Sequence, residues 1–181
     1  MTIQKTGRCF TGGLGERLTG LPPLVGDETR LLILGSFPGA ASLAHQQYYA
    51  HPQNQFWKIL QAILPSSPRE ISIYSYEQRS KWLIESGVGV WDVYASCQRV
   101  GSLDAAIREP VVNDFSCLLQ RCPQLRLIAH NGGESFRHAK HTAALGLPVC
   151  KLPSTSPANA SWSFERKLAA WRDGFAQAGL P

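Results

Sequence analysis

No CxxC pair occurs in this sequence: its five cysteines, Cys9, Cys97, Cys117, Cys122 and Cys150, are scattered and odd in number. The spacing that holds a structural zinc is therefore missing, and buried, reduced thiols are the expected state. Long apolar runs are missing too. None approaches the ~20 residues needed to cross a bilayer, and the N-terminal MTIQKTGRCFTGGLGERL has no apolar stretch of signal-peptide length. A cytoplasmic protein without membrane contact is expected. There is no internal repeat, low-complexity tract or dividing linker, although PSSPRE (65–70) reads as an exposed loop. With 44% hydrophobic and 17% charged residues the chain is globular rather than disordered, and one domain spanning 1–181 is expected. Acidic residues are few, 13 against 18 Lys plus Arg, for a net charge of +5. That excess modestly favours a polyanionic partner through field steering. Without a long basic tail, any such face has to be assembled by the fold.

Four short apolar segments are present, RLLILGS (30–36), VGVWDVY (88–94), LRLIAHN (125–131) and LPVCKLP (147–153), and each reads as a strand. Between them lie helical patterns. Phe56, Ile59, Leu60, Ile63 and Leu64 recur at helical spacing up to Pro65. YEQRSKWLIES (76–86) predicts a helix closed by Gly87, with further helices over 113–121 and 133–145. In the C-terminal segment Phe164, Leu168, Trp171 and Phe175 share one face, with Arg166, Lys167 and Arg172 largely elsewhere. Such alternation predicts a mostly parallel sheet covered by helices. Ligands of those sheets collect beyond the carboxyl ends of the strands.

Every unusual loop follows a predicted strand. Gly35 to Trp57 runs without a charged residue, and in its opening GSFPG two glycines permit close backbone approach while Pro38 fixes the chain. Such turns also simply follow buried strands. In HPQNQFW, Asn54 stands just before the helical pattern and reads either as an N-cap or as a chemical group, and Phe56 and Trp57 fit a core equally well. Asp92, at the end of the second strand, suits a base-edge acceptor, a general base or a turn cap. HNGGES places two glycines before a helix whose N-terminal donors they expose, and Asn131-Gly132 also makes an ordinary turn. LPSTSPANASW (152–162) is dense in hydroxyls that either grip phosphate or cap the last helix.

Taken in order, LGSFPG, HPQNQFWKIL, HNGGES and LPSTSPAN resemble the uracil-DNA glycosylase superfamily over roughly residues 30 to 165. They are most similar to its hypoxanthine-DNA (deoxyinosine) glycosylase branch, and HPxNxFWK also resembles the mismatch-specific uracil/thymine glycosylases. The resemblance implies an α/β fold, a three-layer αβα sandwich with a central four-stranded, mainly parallel sheet, and a DNA groove along the carboxyl ends of the strands. It implies a monofunctional DNA N-glycosylase of base excision repair, a monomer without cofactor, that flips hypoxanthine or uracil out of DNA and hydrolyses its N-glycosidic bond.

By that resemblance Asn54 is the candidate catalytic residue, its amide orienting water or donating to the base. Phe56 matches the base-stacking aromatic, with Phe37 as a second wall. Ser36, Asp92 and Asn131 are candidates for the base, and Ser42, Ser154, Thr155 and Ser156 for the DNA phosphates. Two departures stand out. Phe37 occupies the place of the Asp or Asn that activates water in many relatives, and Leu152 stands where others carry histidine before Pro153-Ser154. The cysteines do not match the four-cysteine iron–sulfur arrangement of some relatives, so no metal is expected.

Two rivals remain at this level. A serine hydrolase would use Ser36 or Ser154, but GSFPG is not the GxSxG elbow. A non-catalytic DNA-damage binder would keep the groove without the lost Asp and His.

Overall fold

A computed structural model describes residues 16–64 and 71–181, so the expectations for Cys9, the N-terminal segment and the 65–70 loop lie outside the described residues. The four predicted strands form one sheet. They are β2 (Leu31–Gly35), β3 (Val88–Asp92), β6 (Leu127–Asn131) and β7 (Val149–Leu152), all parallel, in the order β3-β2-β6-β7. β2, β3 and β6 are buried along their whole length, which is why they read as unbroken apolar runs. Alternate residues feed opposite faces. Leu31 and Ile33 pack with Phe56, Leu60, Trp171 and Phe175, whereas Leu32 and Leu34 pack with Phe37, Trp91, Phe115 and Leu118.

The first face is covered by α2 (Phe56–Ile63), α3 (Tyr76–Glu85) and α7 (Phe164–Gln177). α3 opens with a capping box between Ser75 and Gln78, and the chain turns into β3 through Gly87 at φ +78°. On α7 the sequence-predicted face needs one correction. Lys167 is only 2% exposed and its Nζ donates to Gln55 Oε1 at 2.9 Å, so its stem joins the buried side.

The second face is less helical than the sequence suggests. A short antiparallel sheet, β1 (Arg17–Thr19), β4 (Tyr94–Gln98) and β5 (Arg108–Val112), contributes to this layer. The predicted strand 88–94 therefore ends at Asp92, and Tyr94 begins the second sheet. The helix expected over 113–121 shrinks to α4 (Leu118–Arg121), because Asp114 Oδ1 takes the Ser116 N–H in a turn. The helix expected over 133–145 is split into α5 (Gly133–Phe136) and α6 (Ala139–Ala143). Ser135 Oγ and Thr142 Oγ1, one from each piece, hold the ring of buried His130 at 2.7 and 2.9 Å. Burial pushes that imidazole down to about 4, so it is a neutral core group at physiological pH.

Cys97 and Cys122 are buried thiols as expected, whereas Cys117 is exposed and Cys150 half-buried. Among the described residues no helix is long and apolar enough to cross a membrane.

Candidate active site

The loops that follow β2, β3, β6 and β7 meet at the carboxyl end of the parallel sheet around a cavity of about 280 Å³. Its wall takes residues from all four motifs, among them Phe37, Asn54, Asp92, Asn131 and Ser154. The first loop is not wholly irregular: Ala40–His45 forms α1, and Tyr49 turns the chain at φ +55° before His51. A bulky residue held in that conformation is strained, and the surrounding contacts have to fix it.

Tyr49 shows what the strain achieves. Its ring lines the cavity and stacks on Phe56, with centroids 3.9 Å apart and planes 19° from parallel. Phe56 does not reach the cavity. It is fully buried against Trp57 and Trp171, because α2 turns this face into the core. The residue expected to stack on a base is thus one layer behind the wall, which Tyr49 and Phe37 both line. Charge-free aromatics directly before HPQNQFW were the available signal for Tyr49.

Asn54 is neither a plain helix cap nor free of the helix. Its Oδ1 accepts the Phe56 N–H at 3.0 Å, while Gln55 is the residue at the N-cap of α2. Its Nδ2 makes no hydrogen bond to the described residues, which leaves a donor beside the cavity. His51 also lines the cavity and was missed as a site residue. Its Nδ1 accepts from the Gln53 N–H at 3.2 Å, so in the neutral ring the proton sits on Nε2.

Asn131, expected to bind the base, lines the cavity with its carboxamide already engaged within the protein. Its Nδ2 donates to Tyr49 Oη at 3.1 Å and to Thr155 Oγ1 at 3.0 Å, and its Oδ1 accepts the Thr155 N–H at 3.0 Å. Both amide hydrogens are consumed in tying three motif loops together. Thr155 is correspondingly fully buried and cannot contact a phosphate. Ser42 is buried as well, with its Oγ accepting the Ala50 N–H at 3.2 Å. Ser154 and Ser156 remain partly exposed on the wall, although each hydroxyl already accepts a backbone N–H two residues ahead. Ser36 donates to Asp104 Oδ1 at 2.7 Å, so it faces a second carboxylate that the sequence had not singled out.

Asp92 is 4% exposed and lines the cavity, and its Oδ2 is buried without a partner. Burial, then the nearby charge of Asp104, pushes its carboxyl up to about 7, against the opposing effect of the Arg99 guanidinium. Near neutrality this group is divided between an acceptor-only carboxylate and an acid that also donates.

The shift has a consequence for stability. An unfolded chain ionises this residue near 3.8, so between that pH and about 7 the folded protein holds a proton that the unfolded chain lacks. Stability falls as pH rises through this window, and the penalty is complete above it. Asp92→Asn removes the penalty. Its melting temperature should exceed the parent's at pH 8, with the gap closing towards pH 4; a gap independent of pH would contradict the raised carboxyl.

The sequence model of the uracil DNA glycosylase superfamily matches residues 22–174. A hypoxanthine DNA glycosylase of Methanosarcina barkeri is 35% identical over 156 residues, covering 86% of this chain and 96% of that protein. A second, from Methanosarcina acetivorans, is 35% identical over 148 residues, covering 82% and 92%. The solution NMR structure of a Methanosarcina acetivorans protein described as a candidate uracil DNA glycosylase superposes with a TM-score of 0.76 at 34% identity, covering 87% of this chain and 98% of that one. With its parallel sheet, its four motif loops in order and relatives matched over nearly their whole length, the chain belongs to the uracil DNA glycosylase superfamily.

Proposed function

We propose that the protein is a DNA glycosylase that takes hypoxanthine, turned out of the DNA, into the cavity and hydrolyses its N-glycosidic bond. The observation that carries this reading is the pairing of an aromatic wall, Tyr49 and Phe37, with two unspent polar groups, Asn54 Nδ2 and Asp92 Oδ2. A base inside a duplex is out of reach, so an enzyme acting on it needs a pocket with a stacking face and edge-reading groups. The identity to two hypoxanthine DNA glycosylases supports the choice of base.

The chemistry asks for little covalent participation. Bond cleavage builds positive charge on the sugar and negative charge on the departing base, and preorganised donors aimed at the base stabilise that state. Asn54 Nδ2 is such a donor. The carboxylate form of Asp92 accepts from the N1–H of hypoxanthine, a hydrogen that adenine does not carry, and the neutral form donates to the base instead. Neither the Asp of the usual first motif nor the histidine of the usual last motif is needed for these roles.

The deciding experiment incubates the protein with oligonucleotides carrying hypoxanthine or uracil and follows both binding and strand cleavage at the resulting abasic site. Release of hypoxanthine is expected, in preference to uracil. Tight binding to the hypoxanthine strand without release would overturn the enzymatic reading in favour of a damage-binding protein.

A further inference from the structure

We propose that Arg99, directly after β4, is the counter-charge of the cavity: acting through the Phe37 ring, it steadies the negative charge of the Asp92 carboxylate and of the departing base. The assignment rests on the glycosylase reading above. The wall of the cavity holds two carboxylates, Asp92 and Asp104, and the imidazole of His51, but no lysine or arginine. A base that leaves as an anion beside Asp92 meets charge of its own sign there. Positive charge has to come from the next layer.

Arg99 supplies it. The residue is 7% exposed, and among the described residues it forms no ion pair. Its Nη2 donates to the Pro38 carbonyl, and the guanidinium carbon lies over the Phe37 ring, 5.0 Å from the ring centre. Nε and Nη1 are buried without a hydrogen-bond partner among the described residues. As a mere brace for the GSFPG loop this would be a poor arrangement, since unpaired buried N–H groups and an unpaired buried charge both oppose folding. The charge itself is permanent, because a guanidinium does not lose its proton in a protein.

The groups within its field are few. The Cys97 thiol of β4, Asp104 in the 3-10 turn Asp104–Ala106 and Asp92 at the end of β3 all favour the cation. Asp104 is also held by Ser36 and feels Glu134 of α5, while Asp92 acts on the Tyr48 and Tyr49 hydroxyls and Arg17 of β1 acts on Cys97. The Arg99 guanidinium opposes the effect of burial on both aspartates. Phe37 lines the cavity and Arg99 does not, so the ring stands in place of solvent as the medium of that field. A charge acting through such a medium is screened far less than one acting through water.

The test pairs two variants. Arg99→Lys keeps a cation, whereas Arg99→Gln keeps an N–H donor for the Pro38 carbonyl and loses the charge; Arg99→Met replaces the glutamine variant if that one does not fold. The first measurement needs no DNA and follows the Asp92 carboxyl by NMR against pH. Its midpoint, about 7 in the parent, should rise in Arg99→Gln and stay nearer the parent's in Arg99→Lys, because removing a nearby cation disfavours the carboxylate. The second measurement is single-turnover release of hypoxanthine. Arg99→Gln should lose about tenfold or more at neutral pH, with the pH dependence of release moving upwards with the carboxyl, and Arg99→Lys should lose less. Either an unmoved carboxyl or parental release in Arg99→Gln overturns the assignment, and equal losses in the two variants would reduce Arg99 to a brace for Pro38. A parent that releases no hypoxanthine overturns the glycosylase reading and the part of Arg99 in it, even where the carboxyl moves.

Discussion

Asn54→Ala should lose about 10²–10³-fold in single-turnover release of hypoxanthine, the usual cost of deleting one preorganised donor. The alanine variant alone would be ambiguous, because Asn54 Oδ1 also accepts the Phe56 N–H at the start of α2. Loss of such a contact costs about 1 kcal/mol. Asn54→Ser and Asn54→Asp resolve this, since each keeps a side-chain acceptor for that N–H and should melt close to the parent. The geometry then distinguishes two chemical roles. Oδ1 is already occupied by the helix, so the unspent group is Nδ2, and donation rather than acceptance is what the cavity receives. Aspartate cannot donate when ionised. Asn54→Asp should therefore lose release as severely as Asn54→Ala, and Asn54→Ser should lose about tenfold or more, because a hydroxyl donates from a different position. Parental release by both the serine and the aspartate variants would remove Asn54 from the mechanism.

The second large effect is expected at a residue with no side chain. Gly35 closes β2 directly opposite Asp92 in the parallel register, and a Cβ there would collide with Asp92 Oδ1 and meet Tyr49 Oη at 3.6 Å. The carboxyl sits at the buried end of β3 and can yield only by leaving its place for the cavity it lines. Gly35→Ala should displace it, and a misplacement of about 1 Å in a catalytic constellation can cost 10²-fold in rate. Gly39, in the same GSFPG, is the internal comparison. A Cβ at that position meets nothing closer than Ser102 Oγ at 3.6 Å, an ordinary contact, so Gly39→Ala should release hypoxanthine within a few-fold of the parent. Similar losses in the two variants would mean that the motif needs flexibility rather than the approach of Asp92.

The contrast between these glycines shows what was legible beforehand. In the letters they are equivalent, and only the strand pairing reveals that one faces a carboxylate. The parallel strands were readable because burial on both faces demands unbroken apolar runs, as in LLIL and VGVW. From four such strands in succession, the gathering of their following loops at one end was a consequence of topology. What could not be read was direction. STS looks like three hydroxyls for phosphate, yet Thr155 is turned inwards by Asn131 while its neighbours stay on the wall. YY and FW look like four interchangeable aromatics, yet a left-handed backbone at Tyr49 brings it to the cavity and helical phase sends Phe56 into the core. β4 and β5 escaped notice because YASCQ is only partly buried and REPVV lies largely at the surface, so neither carries a continuous apolar signal.

One carboxamide, that of Asn131, is bonded to Tyr49 and to Thr155, and the Thr155 carbonyl in turn accepts the Gln55 N–H beside Asn54. Loops that carry function usually sit at the low-stability end of a protein, where they open independently of the core. Here the stacking ring, the donor-bearing turn and the segment after β7 share fasteners with the end of a central strand. Opening any one of them breaks contacts that hold the others, and on the proposed function this shared fastening lowers the ordering entropy that an entering base has to offset.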